Sequence, residues 1–263
     1  MSNTEITNNA PDHGPFGSPV VLLLMTGTLV GFCFPLGKIA GAASVSPIAW
    51  AMLLSLGASG LLLPLLIAKR RLQLPDRRIL RYAVVSGLIS FVIPNVLLFS
   101  VIPHAGSGYS GLMFAMSPVF TLFLSMLFRL KAPGWLGVAG IAVGMTGAAI
   151  VAVTRGATPG APELIWLLGA MLVPMALACG NVYRTIDWPE GASPDALAFW
   201  SHGFSVLVYL LLLIGIEGGV PLDQYARVPG AALAQLVAGG LTFPLFFRLQ
   251  QRGGPVLLSQ LGY

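Results

Sequence analysis

The sequence predicts an all-α integral membrane protein on a ten-helix inverted-repeat plan of five plus five, with eight complete membrane-spanning helices and part of a ninth. Three observations carry this reading. Charged residues are 9% of the 263, apolar residues are 56%, and mean hydropathy is +0.85. An ordinary soluble domain carries about 25% charged residues. The apolar residues fall in runs of about 20, the length that crosses about 30 Å of hydrocarbon. The order of those runs then repeats within the chain.

Composition excludes several classes at once. So little charge cannot cover the surface of a soluble domain, and disorder needs low hydrophobicity with high net charge. Net charge is +5 and the pI is about 9.6. In this setting the excess reads as loop charge facing the cytosol rather than as a nucleic-acid footprint. Cys33 and Cys179 both fall in apolar stretches and read as small packing residues. The stretch 1–17 has no Lys or Arg and is rich in Asn, Thr, Pro and Gly. It lacks the basic start of a signal peptide and is expected to be a flexible tail.

The expected spans, in order, are Pro19–Ile39, Pro47–Ala68, Tyr82–Ile102, Tyr109–Phe128, Trp135–Val153, Leu164–Tyr183, Ala196–Ile216 and Ala231–Phe247. Charge, Gly or Pro separates each from the next. A ninth run from about Gly254 to Tyr263 is too short to cross. The runs are continuously apolar and do not alternate, which implies helices and not a barrel.

Lys and Arg in the loops set the orientation. One set of alternate loops holds Lys69, Arg70, Arg71, Arg77, Arg78 and Arg81, then Arg129 and Lys131, then Arg184, then Arg248 and Arg252. The opposite set holds only Lys38, Arg155 and Arg227. The larger set belongs in the cytosol, which puts the N-terminus inside. Trp50, Trp135, Trp166 and Trp200 lie near expected helix ends, as an interfacial aromatic belt would.

Shifting the sequence by 147 places Ser46-Pro47-Ile48-Ala49-Trp50-Ala51 on Ser193-Pro194-Asp195-Ala196-Leu197-Ala198, with four of the six identical. Spans one to three then pair with spans six to eight, and span four with the ninth run. Five is odd, so the two copies must be inverted in the membrane, a common plan in secondary transporters. The expected units are 18–154 for the first five-helix repeat and 163–263 for the second. Tyr263 falls at about Ala115 of the first copy, so the sequence is expected to be a truncated form of a ten-span protein.

Four segments together resemble the drug/metabolite transporter superfamily, EamA type. They are Gly31-Phe32-Cys33-Phe34-Pro35-Leu36-Gly37-Lys38, Ser46–Ala51, Ala115-Met116-Ser117-Pro118-Val119-Phe120, and the tail Arg252–Tyr263. The resemblance implies ten helices in two inverted halves and a bacterial inner (plasma) membrane location. It also implies movement of small metabolites, often export of amino acids or related compounds. The expected partners are a small-molecule solute and the lipid bilayer, with a homodimer left open. No cofactor, metal or nucleic acid is expected.

No expected span carries Asp or Glu in its middle. Glu163, Asp187, Glu190, Asp195, Glu217 and Asp223 all lie at helix ends or in loops. Buried carboxylates are the usual proton or sodium relay, so their absence favours a facilitator, an exchanger or coupling through other groups. The sequence has no His-Glu-x-x-His, paired-Asp or Gly-x-Ser-x-Gly signature, and His13, His104 and His202 are scattered. A membrane-embedded enzyme is therefore disfavoured; a non-transporting structural chain is the other alternative.

Pro94, Pro118, Pro174 and Pro244 fall near span centres. A mid-helix proline frees a carbonyl that a neighbour or a cavity must satisfy. Transporters place solute sites at such breaks, though a packing kink is the plainer reading. Pro94 and Pro244 hold nearly equivalent places in the two copies. The candidate solute-binding or gating residues are Phe34, Asn95, Asn181, Tyr183, His202 and Phe243, around a cavity lined by spans one, three, six and eight. Asn95 can serve solute or a neighbouring helix, Tyr183 can be interfacial, and His202 can gate or simply join two helices. Lys38 is expected to snorkel. Gly137, Gly140, Gly144 and Gly147 stripe span five and predict close helix packing.

Overall fold

The computed structural model describes residues 18–72, 74–130, 135–156 and 162–262. Among these, every regular element is helical. Eight long helices follow one another: α1 Pro19–Ala42, α2 Pro47–Ala68, α3 Arg77–Ala105, α4 Ser107–Leu127, α5 Trp135–Gly156, α6 Leu164–Ile186, α7 Pro194–Glu217 and α8 Pro229–Ser259. A short helix, Leu222–Ala226, precedes α8. Among the described residues, seven helices are long and apolar enough to cross a membrane: α1–α4, α6, α7 and α8 together with the turn that follows it. The side chains of α5 are only partly described.

The repeated Ser-Pro signature has the same local structure in both places. Ser46 and Ser193 each accept a hydrogen bond from the amide three residues on, with proline at the first helical position. The serine satisfies one of the free N–H groups at the helix start, and the proline needs none. These two motifs open α2 and α7. Asp76 caps α3 through the Ile79 amide at 2.8 Å. Inside α3, a π-helical turn over Gly87–Val92 precedes Pro94, whose missing N–H interrupts the ladder.

The first and second halves share one core. Trp50, Tyr82, Phe91, Tyr209 and Phe247 are fully buried and come from α2, α3, α7 and α8. Polar side chains tie the halves together at depth. Ser55 on α2 meets His202 on α7 at 3.0 Å, Ser86 meets Ser201 at 2.7 Å, and Tyr209 donates to the Phe91 carbonyl at 3.0 Å. Such bonds are favoured where no water competes for the groups. Leu24, Leu65, Leu211 and Ile214 face outwards, as a lipid-facing surface requires.

Several expectations change. Span eight is longer than expected: its helix passes through Arg248 and Arg252, and the ninth run starts at a break at Gly254, where φ is 69°. Only a residue tolerant of the left-handed region fits there. Arg248 is therefore helical, and binds both oxygens of Asp195 at 3.0 and 2.9 Å. Trp50 belongs to the core and not to an interfacial belt. Glycine packing also lies elsewhere than expected. Among the described residues, a Cβ on Gly140 or Gly147 would meet nothing and one on Gly144 would touch Val119; the side of α5 at Gly137 lies outside the described residues. Gly57 and Gly239 instead bring α2 and α8 backbone to backbone.

Candidate functional site

The proline-bearing helices enclose a small cavity of about 60 Å³. Phe34 of α1, Phe91 and Asn95 of α3, Phe114 of α4 and Phe243 and Phe246 of α8 line it, with Leu177 of α6. Helices α1, α3, α6 and α8 all contribute, and α4 and α2 add Phe114 and Leu54. The Ser90 and Thr242 hydroxyls belong to the same wall and are buried without a protein partner. A buried hydroxyl left unpaired costs about 1–3 kcal/mol, which a polar group of a bound solute would recover. Small-molecule pockets usually measure about 300–1,000 Å³, so the cavity as it stands is smaller than a typical solute site.

Two larger openings flank it. A groove of about 590 Å³ runs between α1, α4 and the Gln260–Gly262 turn, and shares Phe34 and Phe114 with the cavity wall. On the loop side, a vestibule of about 510 Å³ is bounded by Thr185, Trp188, Ser193 and Gln250.

Between vestibule and cavity lies Arg184, which is 1% exposed. Its place corrects the loop position given by hydropathy. The helix runs to Ile186, three residues past the expected end, and turns the side chain inwards. Nε and Nη2 donate to Gln250 Oε1 at 3.2 and 3.0 Å, and Nη2 donates to Asn181 Oδ1 at 2.7 Å. Gln250 is held in turn by the Asn181 carbonyl and the Thr185 hydroxyl, at 3.0 and 2.7 Å. The guanidinium also lies 5.3 Å from the centre of the Phe91 ring and 4.8 Å from that of Phe246, within cation–π range.

The candidate residues thus divide. Phe34, Asn95 and Phe243 line the cavity. Asn181 is buried beside Arg184 and reaches Thr121 at 3.4 Å. His202 is fully buried between Phe91 and Phe243, its ring 4.1 and 3.9 Å from theirs; Ser55 meets Nδ1 and Nε2 has no partner. Tyr183 stands apart from the cavity. It donates to Asp187 at 2.6 Å and stacks on Tyr82, because its position on α6 turns it towards α3. Sequence reading missed Arg184 and Gln250. The signal for the first was its i, i+3 spacing from Asn181, which puts both on one helix face.

The comparison with known families bears on this arrangement. The profile of the EamA-like transporter family matches residues 17–153, which hold α1 to α5. The chain belongs to the EamA-like transporter family. It is similar to a probable terminal-alkyne amino-acid exporter of Streptantibioticus cattleyicolor, with 29% identity over 143 residues. That stretch is 52% of this chain and 43% of the relative, so less than half of the relative's length is matched. Membership places the chain among drug/metabolite transporters as a multi-pass membrane protein. Of the matched region, Phe34, Asn95, Ser90 and Phe91 reach the cavity, and the second half supplies Phe243, Thr242 and the Arg184 cluster.

Proposed function

We propose that the protein moves a small metabolite, an amino acid or related compound, outwards across the bacterial inner membrane by alternating access. The observation that carries this is the cavity itself. It lies where helices from both halves meet, beside Pro94 and Pro244, and combines six aromatic rings with unpaired hydroxyls. A solute site at which both halves meet is what alternating access requires; a larger groove adjoins this cavity at Phe34 and Phe114, and a polar vestibule lies beyond Arg184. The two five-helix units, the cytoplasmic N-terminus and the solute-binding roles of Phe34, Asn95, Asn181, His202 and Phe243 are part of this proposal. The name of the similar exporter supports an amino acid as the cargo.

Uptake into proteoliposomes containing the purified chain, with a panel of labelled amino acids, tests the reading. Saturable, counterflow-sensitive flux is the expected result. No flux of any member overturns it and favours a non-transporting structural role.

A further inference from the structure

We propose that Arg184 is the residue that recognises the carboxylate of the transported solute, an inference that rests on the transport reading above. The first argument is the missing counter-charge. Arg184 is buried, yet its acceptors are the neutral amides of Gln250 and Asn181. Asp187, Asp195 and Asp223 pair with Arg81, Arg248 and Arg227 instead. The remaining acidic residues lie at helix ends, in loops or in the N-terminal tail. A buried charge with no opposite partner is costly, and a neutral side chain could join α6 to α8 without that cost. Among the described residues no carboxylate meets this positive charge.

The second argument is geometric. A carboxylate binds guanidinium through two parallel bonds from one edge. The Nε–Nη2 edge of Arg184 is occupied by a single carbonyl oxygen, Gln250 Oε1, which accepts from both nitrogens. Gln250 thus occupies the seat a carboxylate fits better. Its other contacts are to the Asn181 carbonyl and Thr185, so a rotation of one side chain vacates the seat. Gln250 and Thr185 also form the wall of the vestibule, which gives a polar solute its approach.

The third argument concerns the rest of the solute. Phe91 and Phe246 lie against the guanidinium and also line the cavity. A solute held by its carboxylate at Arg184 would extend its apolar body along those rings. One guanidinium among neutral amides balances one negative charge, which favours a monocarboxylate over a dianion.

Leucine and leucinamide, which differ only in the carboxylate, provide the test in proteoliposomes. The wild-type protein is expected to take up leucine with an apparent affinity roughly tenfold or more above that for leucinamide, since a charge-assisted bidentate contact is lost. Arg184→Lys should raise the leucine KM by roughly tenfold, because lysine keeps the charge and loses the fork. Gln250→Glu places the protein's own carboxylate in the seat. It should keep or raise the melting temperature and abolish leucine uptake. If Arg184→Lys fails to fold, the Gln250→Glu result decides. Leucine uptake by Gln250→Glu at the wild-type rate, or equal handling of leucine and leucinamide by the wild type, overturns the arginine's role and leaves transport standing. Flux of neither compound, with no flux across the amino-acid panel, overturns both.

Discussion

The rings of Phe34 and Phe114 meet edge to face, 5.5 Å between centres and 84° between planes. Both belong to the wall of the cavity and to that of the neighbouring groove, so this pair stands between them. Edge-to-face pairs contribute about 0.5–1.5 kcal/mol beyond the area they bury. Cys33, a buried free thiol on the cavity side, reports on this pair. In a Cys179→Ser background, Phe34→Ala should speed maleimide labelling of Cys33 about tenfold for each 1.4 kcal/mol taken from this arrangement. Unchanged labelling would mean that access is set elsewhere.

The α2–α8 crossing depends on two hydrogen atoms. A methyl group on Gly57 would overlap the Leu236 carbonyl, and one on Gly239 would overlap the Leu54 carbonyl. Backbone cannot step aside as a side chain can. Gly57→Ala and Gly239→Ala should each destabilise by about 1–3 kcal/mol or more, read as a lower melting temperature in detergent. Gly140→Ala on α5 meets open space and should be neutral or gain up to about 1 kcal/mol from helix propensity.

That contrast also explains what the sequence could and could not disclose. The helices were legible because apolar runs of membrane length admit few alternatives, and the Ser46-Pro47 and Ser193-Pro194 caps are local. Asn95 beside Pro94, and Phe243 beside Pro244, stood out because prolines and amides are rare in spans, and both side chains line the cavity. Arg184 was not. Hydropathy treats arginine as loop charge, and only the packing of α6 against α8 brings Gln250 to it. Trp50 and the Gly57–Gly239 crossing failed similarly. Each depends on which helix lies opposite, and one span's residues do not reveal that. The Gly137–Gly147 stripe had the right spacing with little opposite its described members. Gly254 was legible as a boundary because only glycine readily takes the positive φ that breaks the helix there.

Tyr225 gives a pH dependence outside the spans. Its hydroxyl donates to the Ala49 carbonyl at 2.7 Å, and burial, reinforced by the Glu217 carboxylate, pushes its pKa above the usual 10.0. A group whose pKa is raised by folding stabilises below its unfolded value and loses that contribution as pH rises beyond it. The melting temperature should therefore fall from about pH 10 upwards, and Tyr225→Phe should flatten that fall. Parallel pH curves for the two proteins would exclude Tyr225 as the source.

Asn95 has two roles open to it, and a paired substitution separates them. Its side chain lines the cavity and lies near the Tyr209 hydroxyl, which donates to the Phe91 carbonyl. If the amide only steadies Tyr209, Asn95→Ala and Tyr209→Phe should behave alike, each lowering stability by about 0.5–1.5 kcal/mol with little change in KM. If the amide also contacts solute, Asn95→Ala should raise KM roughly tenfold, the value of one lost polar contact in a dry site. Tyr209→Phe should then leave KM near wild type. The same split should appear as a lower barrier to Asn95→Ser than to Asn95→Leu, because serine keeps a polar atom at the wall. We expect the second pattern, since Ser90 and Thr242 leave unpaired hydroxyls on the same wall, and a solute able to satisfy them would lie within reach of Asn95.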